Sequence, residues 1–399
     1  MTKIFPVDLM LEQPAGWLRA SLPKIQSATR SVIELDTKSE GSESLIEARS
    51  EYHRRRWLEL TGTEPSETHF SIIIPVHNEL RSLPSFLGAL LVSELPSIAD
   101  IQIIFVINAS SDQSAALIKK RLAFINTPVE TELPISIFDA KRLDQAFEVC
   151  QGNIRFLVVE TPTAGKANAL NLANEIARQR AHAIAINIDA NNWVEPDSIA
   201  LMFRMAKQGF VDSPDLSAVI INASEYCQPR NTQMQVSVKV KTQKAEVSGC
   251  MFAWSTQWIH ENNGFIQQAI EDYGMGLLAL SQRKQILESE ASIWVYTAGT
   301  PFDENRELVR FLYGAMQLAR RFENDPVAKQ ILLDDFPHLR PWRSRMEFFL
   351  SRRLKANQPF ALARGILRWL FNEYLIFKAR EKLRQNPDGQ TWEPIKSTK

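Results

Sequence analysis

A chain of 399 residues, 45% apolar and 23% charged, carries enough apolar matter for a substantial core and is too long for one small domain. Lys plus Arg and Asp plus Glu stand at 46 each, so no overall field argues for a nucleic-acid partner. Cys150, Cys227 and Cys250 are scattered, odd in number and free of Cys-x-x-Cys spacing, which argues against a disulfide framework or a zinc site and for a reducing compartment.

The first residues lack a basic segment followed by an apolar one, and no run approaches the roughly 18 apolar residues of a membrane span. The expectation is a cytoplasmic protein, neither secreted nor integral. Residues 1–66 offer one convincing element, a helix across Glu43 to Leu60 closed by Thr61-Gly62. Its Arg54-Arg55-Arg56 run reads as a solvated helix face sooner than as a phosphate contact.

From Phe70 the pattern changes. The run Phe70 to Pro75 is continuous, apolar and β-branched, as a strand buried on both faces requires, and a helix follows through about Glu94. A second buried strand, Ile101 to Ile107, leads to Asp112, which can cap the helix reaching about Ala123. Pro134 to Phe138 and Ile154 to Glu160 are further strands. Gly165 and Lys166 then open a helix with apolar residues at helical spacing, and Ala183 to Ile188 is a short buried strand that delivers Asp189 to its carboxyl end. A helix to about Gln208 and a strand at Ala218 to Tyr226 come next. The stretch Gln233 to Lys244 alternates like a half-buried strand, and beyond a last strand at Ser292 to Thr297 the chain turns helical to about Gln385. Strands alternating with helices predict a mostly parallel sheet with helices on both faces.

In such a sheet ligands bind at the carboxyl ends of the strands. Four loops stand there: Pro75 to Glu79, Asn108 to Ser114, Gly165-Lys166 and Asp189 to Asn191. Together they offer carboxylates, amides, a lysine and a helix N-terminus, which suit a nucleoside diphosphate. Each alone is weak: Asp112 serves equally as a helix cap, and His77 reads first as a hydrogen-bonded loop residue. Lys166 in a first helical turn is disfavoured by the helix dipole, which points to an anion nearby. Asp189 and Asn191, two residues apart on extended backbone, could share a hard divalent cation.

These residues carry a resemblance. Phe70-Ser-Ile-Ile-Ile-Pro-Val-His-Asn-Glu79 resembles the opening strand of family 2 glycosyltransferases of the GT-A fold, and Val106 to Ser114 is similar to that family's second motif. Gly165-Lys-Ala-Asn-Ala-Leu-Asn171 matches its Gly-Lys-x-x-Ala-Leu-Asn segment, and Ile188 to Asp197 sits where its Asp-x-Asp metal motif lies. Gly249 to Ala253, Gly264-Phe265 and Glu271-Asp272 resemble its acceptor-side elements. These matches, in order, span about 70–297. The resemblance implies a GT-A, Rossmann-like α/β domain at 67–300, between an N-terminal helical extension (1–66) and a C-terminal helical region (301–399).

It also implies a reaction: inverting transfer of one sugar from a nucleotide-diphosphate sugar, UDP- or GDP-linked, to an acceptor hydroxyl. Pro75, His77, Asn78, Glu79 and Asn108 would line base and ribose, with Asp112 beside them. Lys166 would sit near the nucleotide or diphosphate, and Asp189 and Asn191 would hold Mg2+ or Mn2+. Gly249 and Cys250 would face the acceptor, and Asp272, with Glu271 as competitor, would be the general base. Two departures stand out. Asn191 replaces the family's second carboxylate, so metal binding is weaker, and a nucleotide- or partner-binding relative without turnover is the alternative. The Gln-x-x-Arg-Trp of processive synthases is missing, which favours a single transfer.

The tail from His338 to Arg384 is basic and rich in bulky apolar residues. Packing on the catalytic domain or on a second copy of the chain is favoured over contact with anionic lipid. Sugar, base and acceptor are set by loop shape rather than by any motif.

Overall fold

The computed structural model describes residues 54–387, apart from 92, 94, 96–98, 124, 127, 137–141, 229–237, 240–244, 246, 248, 297–300 and 354–358. Its centre is a sheet in the order β3-β4-β5-β2-β1-β6-β10-β8-β11-β7. Four strands form a parallel core: β1 (His69–Val76), β2 (Asp100–Asn108), β5 (Ile154–Thr161) and β6 (Ile184–Ile188). Each is the apolar run that the sequence offers, and the pleat sends alternate residues to opposite faces. Ile73 enters the core under α4 (Lys166–Gln179), whereas Ile72 and Ile74 join α2 (Leu83–Leu91) and α5 (Ser198–Lys207) on the other side.

The flanks differ from the mostly parallel expectation. β3 (Val129–Ser136) and β4 (Arg142–Gln151) run antiparallel beside β5, and β10 (Met251–Ser255) runs antiparallel between β6 and β8 (Ala218–Gln228). β11 (Gln285–Tyr296) is parallel to β8 and pairs with the two-residue β7 (Trp193–Val194). Of the half-buried strand expected at 233–244, only β9 (Val238–Lys239) is described, paired with β8; the rest lies outside the described residues. The helix expected over 43–60 is described from 54 to 61 (α1). There Trp57 is fully buried against Phe70 and Phe203, with ring centroids 6.1 and 5.4 Å away, and donates to the Thr68 hydroxyl. Of the arginine run, Arg54 pairs with Glu64 and Arg56 with Glu59.

α3 (Ser114–Leu122), α6 (Thr256–Glu261) and α7 (Glu271–Ser281) complete this layer, followed by α8 (Pro301–Arg321), α9 (Pro326–Asp335), α10 (Trp342–Arg353) and α11 (Pro359–Gln385). Leu375, Ile376, Ala379 and Leu383 of α11 are buried, and three of them form a small core with Tyr313 and Met316 of α8. Arg345, buried despite its charge, binds both carboxylate oxygens of Glu373 at 2.9 and 2.5 Å. Part of the basic, apolar tail therefore packs internally. Ile366, Leu370, Tyr374 and Phe377 lie on an exposed face of α11. Among the described residues no helix is long and apolar enough to cross a membrane.

Candidate active site

Because β5, β2, β1 and β6 are parallel neighbours, the loops that leave them emerge at one edge. The loops after β1 and β2 are stitched together by side chains. His77 Nδ1 lies 2.8 Å from the Asn108 carbonyl, and the Ser110 hydroxyl accepts from the Asn78 amide at 3.1 Å. Asn78, at φ 54°, turns its Oδ1 to the backbone N–H groups of Ser111 and Asp112 at 2.8 and 3.3 Å. Asp112 accepts from Ser114 N with one oxygen and from Leu80 N with the other, both at 3.0 Å. It thus closes the turn ahead of α3 rather than capping it: the N-cap position belongs to Gln113, which makes no side-chain cap bond. Glu79 is buried and receives the Ser82 hydroxyl at 2.8 Å. His77, Asn78, Glu79, Asn108 and Asp112 therefore form one cluster. Pro75, in β1, stands level with Asp189, since Ile73 is in register with Asn187.

A second cluster sits at the end of β6. Lys166, the first residue of α4, reaches Asp189 with N–O distances of 2.7 and 2.9 Å and also donates to the Gly249 carbonyl. Asn187, fully buried, donates to the same two groups, Asp189 Oδ1 and Gly249 O, at 3.2 Å each. The Asp189 backbone N–H is bound by the Cys250 carbonyl at 3.0 Å, fixing residues 249–250 beside β6. Asp189 is the anion that the misplaced first-turn lysine calls for.

Asp272 closes the cluster. A Cβ added to Gly249 would lie 2.1 Å from Asp272 Oδ2, so only a glycine lets this carboxylate come so near, while Oδ1 accepts from Tyr273 N at 2.7 Å. Burial pushes the Glu271 carboxyl up, and the adjacent Asp272 charge adds to it; Lys166 and Arg310 pull the other way, and it comes to rest at about 7. For Lys166 burial acts downward but is outweighed by Asp189, Glu271 and Asp272, so its ammonium is held above the ordinary lysine range. Burial likewise raises the Cys250 thiol, with Glu225 and Asp189 adding to it, so it stays protonated and is no nucleophile.

Known structures share this arrangement of strands. The mannosyltransferase PcManGT from Pyrobaculum calidifontis, in complex with GDP-Man and Mn2+, superposes with a TM-score of 0.54 at 15% identity, over 89% of this chain and 98% of that one. The chain has the GT-A glycosyltransferase fold. TarS 1-349 from S. aureus in complex with UDP is also similar, at 12% identity over 83% of this chain and 95% of that one, with a TM-score of 0.42. No protein-family model and no curated protein matches the sequence.

On this GT-A fold the residues do not suit a divalent ion as they stand. Both Asp189 oxygens are engaged by the Lys166 ammonium, Oδ1 also by Asn187, and the second position is the neutral, half-buried Asn191. Among the described residues no three His, Cys, Asp or Glu side chains gather to hold a metal.

Several residues that shape the site escape a reading of the sequence. Asn171 takes the Phe265 N–H at 2.6 Å, and Asn168 takes the Gln267 side-chain N–H at 2.7 Å, so α4 moors the loop at 265–267. Gly264, at φ 90°, admits this contact: a Cβ would lie 2.5 Å from Asn171 Oδ1. Asn187 was the legible one, a lone amide inside an apolar strand. Its Oδ1, like that of Asn108, is a buried acceptor without a partner among the described residues, an arrangement that costs about 1–3 kcal/mol unless a ligand or water donates to it.

Proposed function

We propose that this protein is an inverting glycosyltransferase that moves one sugar from a UDP- or GDP-linked donor to an acceptor hydroxyl. The observation that carries the reading is the convergence of Lys166, Asp189, Gly249 and Asp272 at the carboxyl edge of a GT-A sheet. PcManGT, with GDP-Man and Mn2+, and TarS, with UDP, are the solved neighbours whose ligands suggest this donor class. The cluster of His77, Asn78, Glu79 and Asn108 would receive base and ribose, with the partnerless Asn108 Oδ1 accepting from a nucleoside N–H or hydroxyl. Lys166, at the start of a helix, would meet the diphosphate, where an ammonium and a helix N-terminus act together.

Transfer needs one bond made and one broken. The acceptor oxygen attacks the anomeric carbon while the bond from that carbon to the phosphate oxygen breaks, and the electron pair leaves with the nucleoside diphosphate. The acceptor proton passes to Asp272, whose carboxylate stands against Gly249. A positioned carboxylate contributes about 10²–10⁴-fold in this role. Glu271 is the competitor, since adjacent acids cannot both point into the cleft, and the motif position favours Asp272. The Mg2+ or Mn2+ expected at Asp189 and Asn191 takes no part in this reading, because the Lys166 ammonium already engages both Asp189 oxygens.

The test is release of UDP or GDP from a panel of sugar nucleotides, with and without acceptor, for wild type and Asp272→Asn. Turnover by the wild type alone supports the reading. Nucleotide binding without turnover of any donor, in wild type and in Asn191→Asp alike, favours a binding protein on the same fold.

A further inference from the structure

We infer that Lys166 is the resident cation of this site: its ammonium stands where a divalent ion would, and its remaining N–H meets the donor diphosphate, so nucleotide binding needs no metal. The inference rests on the nucleotide-sugar reading above and deepens it. Three observations carry it.

The first is which lone pairs are taken. A divalent ion in this position would need the Asp189 carboxylate and oxygens near it. Those oxygens already face N–H donors: Lys166 at 2.7 and 2.9 Å from the carboxylate and bound to Gly249 O, and Asn187 at 3.2 Å from both groups. An ion entering there would have to expel a like charge from a brace built on α4, β6 and the start of β10.

The second is the charge of the donor set. Asn191, expected on extended backbone, lies instead in a turn that Asn192 N–H closes on the Asp189 carbonyl at 3.1 Å, and it brings a carbonyl oxygen in place of a carboxylate, so its pull on a hard cation is weaker.

The third is the donor count of the lysine. An ammonium carries three N–H groups. The carboxylate and the carbonyl each take one, no further partner stands among the described residues, and the side chain is 24% exposed. One donor is therefore left for a ligand at a helix N-terminus, where phosphate oxygens are favoured. A lysine so held is a fixed point charge that needs no loading and no release.

The experiment is titration calorimetry with GDP and with UDP on the full chain, in EDTA and in Mn2+, together with Mn2+ binding followed by the spin-resonance signal of the free ion. Wild type should bind one of the two nucleotides in EDTA within about threefold of its affinity in Mn2+, and should take up little Mn2+ by itself. Lys166→Met should lose about tenfold or more of that affinity in EDTA, the size of a charge-assisted hydrogen bond, and should regain part of it with Mn2+ because Asp189 is set free. Asn191→Asp should bind Mn2+ more tightly than wild type, and it reports even if the methionine variant folds poorly. A wild type that binds nucleotide tenfold more weakly in EDTA overturns the proposal, as does a folded Lys166→Met with unchanged affinity there. If neither nucleotide binds to any variant in either buffer, the nucleotide-sugar reading itself falls, and this proposal with it.

Discussion

The two edges of the central sheet carry ion pairs of the same chemistry with opposite balance. At the amino edge Asp100 meets Arg180 at 3.0 Å, the buried His182 at 3.5 Å and His69 at 3.7 Å. At the carboxyl edge the arithmetic is reversed: the single ammonium of Lys166 is faced by Asp189, Glu271 and Asp272. The amino edge is settled. Burial acts upward on Asp100, yet Arg180 and His182 outweigh it and hold the carboxyl below its usual range, while burial keeps His182 down, and with it the ring that receives Ser71 at 2.9 Å. The carboxyl edge is left with a carboxyl at about 7 and buried amide oxygens without partners. A charge cluster that satisfies itself reads as a staple, and one that does not reads as a place for a ligand.

That contrast can be broken in four ways. Asp272→Asn should lower kcat by about 10²–10⁴-fold with nucleotide affinity and melting temperature near wild type; turnover close to normal in a nucleotide-release assay would shift the base to Glu271. Gly249→Ala forces the Asp272 carboxylate aside, since the new Cβ would lie 2.1 Å from Oδ2. A misplacement of this size costs about 10²-fold in kcat, measured at saturating donor, and less in donor affinity.

Glu271→Gln tests the charge excess itself. A carboxyl raised from 4.5 to about 7 holds its proton more tightly in the folded chain than in the unfolded one. Its contribution to stability is therefore complete below pH 4.5 and lost as pH rises through 7. Wild type should lose about 1–3 kcal/mol more stability than Glu271→Gln between pH 5 and 8 in denaturant titrations; parallel pH profiles would remove Glu271 from the cluster. The smallest effect belongs to the other edge. Asp100→Asn should cost about 1 kcal/mol in the same titration and leave GDP and UDP binding unchanged, whereas altered nucleotide affinity would mean that the amino edge is not a mere staple.

The parallel core was legible because each strand of it is a largely apolar run, as a strand covered on both sides requires. β4 was not, since Arg142 to Gln151 mixes charged and apolar residues as an outer strand does. The acceptor-side segment Gly249 to Ala253 stood out as a motif, but not that Met251 to Ser255 is a strand reversing direction between β6 and β8. Among site residues, Asp189, Lys166 and Asp272 were marked by position, and they do come together. Asp112 was left as cap or ligand, and its two bonds are those of a turn ahead of α3, whose N-cap is Gln113. Asn171 and Gly264 could not be paired in advance, because nothing local links residues 93 apart in the chain.

That mooring has a consequence for how such a protein could change its clientele. One rigid rod, α4, carries the ammonium at its tip and, about half a turn and one and a half turns on, ties down the loop at 265–267 through Asn168 and Asn171. On the proposed reading, the spacing between donor and acceptor is thus set by helical pitch rather than by a hinge. New acceptors would then be accommodated by remodelling the loop beyond its ties, with the span between donor and acceptor inherited unaltered.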